Sequence, residues 1–353
     1  MPFFLLIYMS DFQTIHDLGI HSLVDKLRKF PGYKRDEIIK AESKNAIVSK
    51  IDDNLKFVSI SGSGIYLEGV HFDLVYTPLQ HLGYKLLTAA ASHIYAMNGM
   101  PVSAQVDIAV PNKISVSMLE KLFEGFDKAG KIYQCAVEPG DITASHQLLV
   151  VSIHVNGTVE ENDLVSLNGS HPGDQICVSG DLGGAVAGLH VLLREKKEWQ
   201  ESGQDYFQPD LQEYEYVVQR QLMPSARHDL IKALKKSGVK PTSMVDVSQG
   251  LVNEVQILSE SNKTGCEIFT PAVPVSLEAR KVADEMKEDV DRYAFYGGED
   301  FEILFTLKDE DIEKLKAEFD DFSVIGEIKP IDHGIVLNTG EGQSINLSES
   351  QVE

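Results

Sequence analysis

The sequence predicts a two-domain α+β fold, and three observations carry that expectation. The chain has 353 residues, and a single hydrophobic core stops growing near ~250–300 residues. Segments with period-two and helical apolar spacing alternate along most of its length. A polar, glycine-containing stretch from Asn156 to Asp174 interrupts that alternation and reads as a domain boundary. The resulting division is an extension with a helix over 1–29, an α+β domain over 30–160, an α/β domain over 161–340 and a tail over 341–353.

The elements follow in order. Ile20, Leu23, Val24 and Leu27 recur at helical spacing, with Arg28 and Lys29 at the end, which predicts a helix over 15–30. Phe57–Ile60 reads as a strand and His81–Met97 as a buried helix of apolar and small residues. In Gln105–Val110, Gln105 and Asp107 alternate with Val106 and Ile108, the pattern of a strand. Leu119, Leu122, Phe123, Phe126 and Tyr133 share one face of a helix over 117–133. Leu148–Val155 returns as a strand. In the second domain a strand over 175–180 runs into Asp181-Leu182-Gly183-Gly184 and a helix over 185–194. A polar excursion, 195–212, comes next. Helices are then expected over 225–236, 250–262, 276–288 and 309–319, and strands over 243–247, 265–269, 302–307 and 322–328.

Composition excludes several classes. With 43% hydrophobic and 24% charged residues the chain reads as globular. A net charge of −22 excludes a general nucleic-acid binder, which needs Lys and Arg to neutralise phosphates. Cys135, Cys177 and Cys266 are widely spaced, with no C-x-x-C pair, and read as buried thiols in a reducing compartment. Pro2–Tyr8 is far shorter than the ~20 residues of a spanning helix and lacks a basic leader. Met9 follows it and reads as an alternative start. The expected location is the cytoplasm, with no membrane partner.

Four motifs stand out. Gly180-Asp181-Leu182-Gly183-Gly184 and Asp246-Val247-Ser248-Gln249-Gly250 each lead from a strand into a helix, where backbone N–H groups and the helix dipole favour an anion. Read alone, the first is more simply a chain reversal, and Ser248 more simply a helix cap. Tyr296-Gly297-Gly298-Glu299-Asp300-Phe301-Glu302 places acids beside two permissive glycines, as a ligand-binding loop or a solvated turn. His71, in Glu68-Gly69-Val70-His71-Phe72, reads as a core histidine or a ligand contact.

Taken in order, these segments resemble the thiamine-monophosphate kinase family, in the superfamily of aminoimidazole ribonucleotide synthetase and selenophosphate synthetase. The resemblance spans roughly residues 12–330 and includes Leu67-Glu68-Gly69-Val70-His71-Phe72-Asp73, His81-Leu82-Gly83-Tyr84-Lys85, Pro172–Gly183 and Gly297-Gly298-Glu299-Asp300-Phe301-Glu302-Ile303-Leu304-Phe305. It implies a homodimer formed through the first domain, use of ATP and magnesium, and phosphorylation of thiamine phosphate to the diphosphate. It places His71, Glu299 and Asp300 near the thiamine substrate, and Gly140, Asp141 and Ser248 near nucleotide. A selenophosphate-type reaction lacks its early reactive cysteine here.

The same resemblance exposes a deficit of acids. Where the family pattern has metal-binding aspartates, this chain carries Lys44, Asn45, Gly64, His93 and Gln249, and only Asp141 and Asp246 remain. A family arginine falls on Leu167. Phosphoryl transfer between anions depends on magnesium held by carboxylate and phosphate oxygens. Two carboxylates facing Lys44 and His93 are too few for the multi-metal cluster that the family reaction implies. The leading expectation is therefore a kinase-like protein with an impaired or lost metal step, taking thiamine phosphate or a nucleotide as ligand. The alternatives are an active kinase recruiting Glu42, Asp52 or Asp53, and a metal-free anion binder using the charge of Lys44. No catalytic residue is assigned.

Overall fold

The computed structural model describes residues 37–39, 44, 46–50, 56–339 and 342–347, together with Leu18, Ser22, Leu23, Lys26 and Leu27. Residues 1–38 and 39–353 form two compact units. In the first unit those five residues are helical, inside the expected 15–30 helix. The rest of that helix, the 2–8 stretch and Met9 lie outside the described residues.

The second unit contains two sheets. The first runs in the order β1-β2-β5-β3-β4, made of Ala46–Ser49 (β1), Phe57–Leu67 (β2), Met100–Pro111 (β3), Ala136–Ser145 (β4) and Val150–Glu160 (β5). β3 and β4 are parallel and the other pairs antiparallel. β2 exceeds the expected 57–60 because every residue from Phe57 to Leu67 pairs with β5, although Gly62, Ser63 and Gly64 dilute the apolar alternation. β4 was not anticipated. Pro139, Gly140 and Asp141 are poor strand formers, tolerated because β4 is an edge strand.

One face of this sheet is buried by Leu79–Tyr95 (α1) and Val116–Tyr133 (α2). Ile60, Val106, Ile153 and Val155 share a core with Leu82, Leu87, Ile94, Leu122 and Phe126. The helices cross at glycines. A Cβ on Gly83 would lie 2.0 Å from the Leu122 carbonyl oxygen, and one on Gly125 2.0 Å from that of Gln80. The opposite sheet face leaves Ser61, Ser63, Ile65, His154 and Asn156 exposed.

The second sheet runs β12-β11-β8-β10-β6-β9-β7. Its strands are Gln175–Ser179 (β6), Ser243–Val247 (β7), Gly265–Phe269 (β8), Glu302–Leu307 (β9), Phe322–Lys329 (β10), Ile335–Asn338 (β11) and Ser344–Asn346 (β12). All its pairs are antiparallel except β11 with β8. Strand and helix alternation in sequence thus serves a largely antiparallel sheet. The helices are Gly184–Ser202 (α3), Glu215–Leu222 (α4), His228–Ser237 (α5), Leu251–Asn262 (α6), Leu277–Met286 (α7), Val290–Tyr296 (α8) and Asp309–Lys316 (α9). α3 runs past Arg194 through eight residues assigned to the surface excursion. α4, α8, β11 and β12 are too short to show a period in sequence.

Ile303 and Phe305 of β9 join the same core as Ile60 and Leu82 of the first domain, while Val245, Leu251 and Ile268 form a core on the other side. The two domains therefore meet through continuous apolar packing, and the face they share carries the candidate site.

Candidate functional site

β7 is buried throughout and carries Asp246 as its fourth residue, paired with Ile303. Ser248-Gln249-Gly250 then turns the chain into α6. Gly250 takes φ 95° with its Cβ direction 2.9 Å from the Tyr296 carbonyl carbon, so the position requires glycine. Ser248 does not cap this helix, contrary to one expectation, because Gly250 occupies the N-cap position and no side chain caps it there. Glu254, in the first turn of α6, instead reaches back to accept the Gln249 N–H at 3.0 Å.

The Gly297–Phe301 loop lies on that turn. Glu299 and Phe301 have φ of 68° and 54°, a region that costs a non-glycine residue about 1–3 kcal/mol. Their N–H groups donate to Ser248 O and Val247 O, both at 3.0 Å, which holds the strained loop in place. Glu299 is thereby aimed at α1, where Lys85 Nζ donates to its Oε2 at 2.8 Å. Gln221, with its amide assigned from the surrounding donors and acceptors, accepts from Lys85 at 3.1 Å and donates to Ala185 O at 3.0 Å.

Asp300 points the other way. Its carboxylate accepts from the backbone N–H of Gly183 at 2.8 Å and of Ala185 at 3.0 Å, and Arg220 lies 3.4 Å away. The glycine turn at 180–184 does hold an anion, and that anion is the protein's own Asp300. Arg220 also pairs with Glu302, which accepts from Ser179 and faces Arg227. Every charge in this buried network has a partner of opposite sign.

Around the Ser248 turn and the Gly297–Phe301 loop, three basic side chains of the first domain face carboxylates of the second. Lys44 Nζ donates to Glu254 Oε1 at 2.6 Å and to Ser248 Oγ at 2.8 Å. His93 Nδ1 lies 3.4 Å from Asp246 Oδ2, and Lys85 pairs with Glu299. Burial opposes ionisation of Asp246, but His93 and Lys44 outweigh it and hold the carboxyl well below its usual range.

The other predicted positions divide. His71 is half-buried, its Nδ1 accepts from Leu67 N–H at 3.0 Å, and its ring stands edge-on to Tyr66. Tyr66 was not anticipated; burial, then the charges of Asp246 and Glu299, push its phenol up. A Cβ on Gly64 would meet the Tyr66 hydroxyl at 2.6 Å, so the aromatic side chain fills the space that a side chain at position 64 would take. Gly140 and Asp141 lie on edge strand β4, where the exposed Asp141 donates its N–H to Asp107 Oδ1. No hydrogen bond or ion pair among the described residues joins Asp141 to Asp246. Gln249 is exposed and accepts from Asn253. Asn45, like Glu42, Asp52 and Asp53, lies outside the described residues. Lys85, Arg220 and Glu254 were also missed; only Glu254 left a trace, a glutamate in the first turn after a glycine.

Residues 42–159 match the AIR synthase related protein, N-terminal domain, and residues 171–337 match the AIR synthase related protein, C-terminal domain. The thiamine-monophosphate kinase of Aquifex aeolicus (strain VF5) is 32% identical over 239 residues, covering 68% of this chain and 72% of that protein. The chain belongs to the thiamine-monophosphate kinase family. The family enzyme of Bacillus subtilis (strain 168) is 31% identical over 252 residues, 71% of this chain and 73% of that protein. The solved thiamine monophosphate kinase from Aquifex aeolicus superposes with a TM-score of 0.74 at 26% identity, covering 95% of this chain and all of that one. AaThiL complexed with AMPPCP and TMP superposes with a TM-score of 0.78 at 25% identity, covering 95% and 97%.

The described residues do not fit the magnesium cluster that resemblance to the family implies. Magnesium requires near-octahedral oxygen ligands, usually carboxylates. Here Asp246 is engaged by His93 and Ser92, and Glu254 by Lys44. Among the described residues no three His, Cys, Asp or Glu side chains converge to hold a metal. Nor does Lys44 stand open to an anion. Its side chain is 7% exposed, and two of its three donors are committed to Glu254 and Ser248.

Proposed function

We propose that this chain is a thiamine-monophosphate-kinase-like protein that takes thiamine phosphate or a nucleotide in the interdomain cleft, with phosphoryl transfer impaired or lost. The observation that carries this reading is the Lys44 ammonium bound to Glu254 and Ser248, at a position where the resemblance puts a metal-binding acid. A cation there repels magnesium, and positioning plus electrostatics supply nearly all the catalysis of phosphoryl transfer. The expected loss is several orders of magnitude in rate.

The ligand side is better preserved. His71 stands edge-on to Tyr66 and Glu299 pairs with Lys85, and a nucleotide analogue and TMP accompany the solved AaThiL chain, which supports a small-molecule ligand here. Asp300 contributes by fixing the Glu299 loop. A homodimer through the exposed face of the first sheet accords with the apolar Ile47 and Ile65 that it presents to solvent.

Calorimetry with thiamine phosphate, combined with a turnover assay containing ATP and magnesium, tests the reading. Binding without turnover is expected, with Glu299→Gln weakening binding about tenfold by loss of one charge-assisted hydrogen bond. Turnover at rates typical of kinases, about 1–100 per second, would overturn it and point to Glu42, Asp52 or Asp53 as ligands.

A further inference from the structure

Three basic side chains of the first domain, Lys44, Lys85 and His93, face carboxylates of the second, Glu254, Glu299 and Asp246, whereas Lys196–Asp73 and Lys235–Glu160 cross the seam in the opposite sense. Glu254 and Asp246 are almost wholly buried. A buried carboxylate with no counter-charge is strongly destabilising, so cation and acid at each pair depend on one another. Decay of a metal site would leave such acids unpaired. Here the two positions that resemblance assigns to lost metal ligands, 44 and 93, supply the groups facing the buried acids.

We propose that Lys44 is a built-in counter-ion of Glu254 and that His93 occupies the Asp246 carboxylate, so that together they tie the two domains and the cleft is complete without a divalent cation. This deepens the reading above, on which it rests, by assigning a role to the substitutions. Glu254 becomes a positioning residue. It binds Lys44 through Oε1 and the Gln249 N–H through the same oxygen, linking the first domain to the turn that carries Ser248. Because the Glu299 N–H donates to Ser248 O, the latch extends to the ligand end of the cleft. Ligand affinity is therefore expected to be independent of metal and sensitive to Lys44.

The test uses the full chain, with Mn2+ electron paramagnetic resonance to read metal binding and thermal unfolding to read the latch. The wild type is expected to leave Mn2+ free in solution and to show the same Tm in millimolar magnesium and in chelator. Lys44→Ala is expected to lower Tm by several degrees, and Glu254→Gln added to it to restore most of that loss, since a neutral amide no longer needs the ammonium. Stoichiometric Mn2+ binding by the wild type, or a Tm that rises with magnesium, overturns the proposal. So does a double variant no more stable than Lys44→Ala. If Lys44→Ala does not fold, a folded double variant supports the pairing and an unfolded one opposes it. None of these readouts involves thiamine phosphate, so failure here is distinct from failure of the ligand assignment.

Discussion

Asp300 Oδ2 accepts a hydrogen bond from the Gly183 backbone N–H at 2.8 Å, so the N-terminus of α3 is filled by an internal carboxylate. Two consequences follow for the loop and the helix. The loop keeps its left-handed residues on either side of Asp300, and the helix entrance is closed to an external phosphate.

Asp300→Ala would leave the N–H groups of Gly183 and Ala185 unsatisfied and weaken the pairing of buried Arg220. Breaking one partner of a buried pair costs about 3–5 kcal/mol. Chemical denaturation should report a loss of that size, with Asp300→Asn milder because one acceptor oxygen remains. A loss below about 1 kcal/mol, the scale of a surface pair, would contradict the cap assignment.

Gly83→Ala sets two effects against each other. Helix propensity favours alanine by about 1 kcal/mol. The new Cβ, however, would fall 2.0 Å from Leu122 O, which forces α1 and α2 apart. Overpacking costs about 1–3 kcal/mol, occasionally more, so the net change should be destabilising. Denaturation of Gly83→Ala and Gly125→Ala checks this, and a rise in stability for either would sink the close-crossing account.

Burial pushes the thiol of Cys135 up to about 11 and those of Cys177 and Cys266 up to about 12. At pH 8 roughly one Cys135 in a thousand is then thiolate, against roughly a quarter for an unperturbed thiol. Thiol titration should therefore be slow for the native protein and should report all three cysteines promptly in denaturant. Prompt native labelling would place at least one of them in solvent.

The Asp73 carboxyl feels burial, which raises it, but the Lys196 hydrogen bond at 2.5 Å and the Val75 N–H prevail and hold it below its ordinary value. A lowered acid contributes stability above its unfolded pKa, about 4, and that contribution disappears as pH falls through the folded value. Lys196→Met should thus be less stable than the wild type at neutral pH, with the difference closing below about pH 4. Denaturant midpoints across that range decide the matter, and a gap that widens on acidification has the wrong sign.

Much of the scaffold was legible because periodicity reports burial directly. α1, α2, β6, β7, β8 and β9 lie within a few residues of the expected segments, each long or apolar enough to show its period. β4 was illegible because Pro139-Gly140-Asp141 reads as a turn, and only pairing with β3 makes it a strand. α4 has eight residues, too few for a periodic signal, yet it delivers Arg220 and Gln221 to the site. The motifs marked where the chain turns, but not which group fills each turn.

The sequence by itself determined the family and the two-domain plan, because these depend on residue identity and order along the chain. Only the tertiary structure decided which groups Lys44 and His93 face. Lys44 lies 210 positions from Glu254 and His93 lies 153 from Asp246, and such pairs come together only when two domains pack. It likewise decided that Asp300 serves α3, and that Tyr66 fills the space beside Gly64. Coulomb attraction and hydrogen bonding act over a few ångströms, and linear spacing carries no record of which distant charges end within that range.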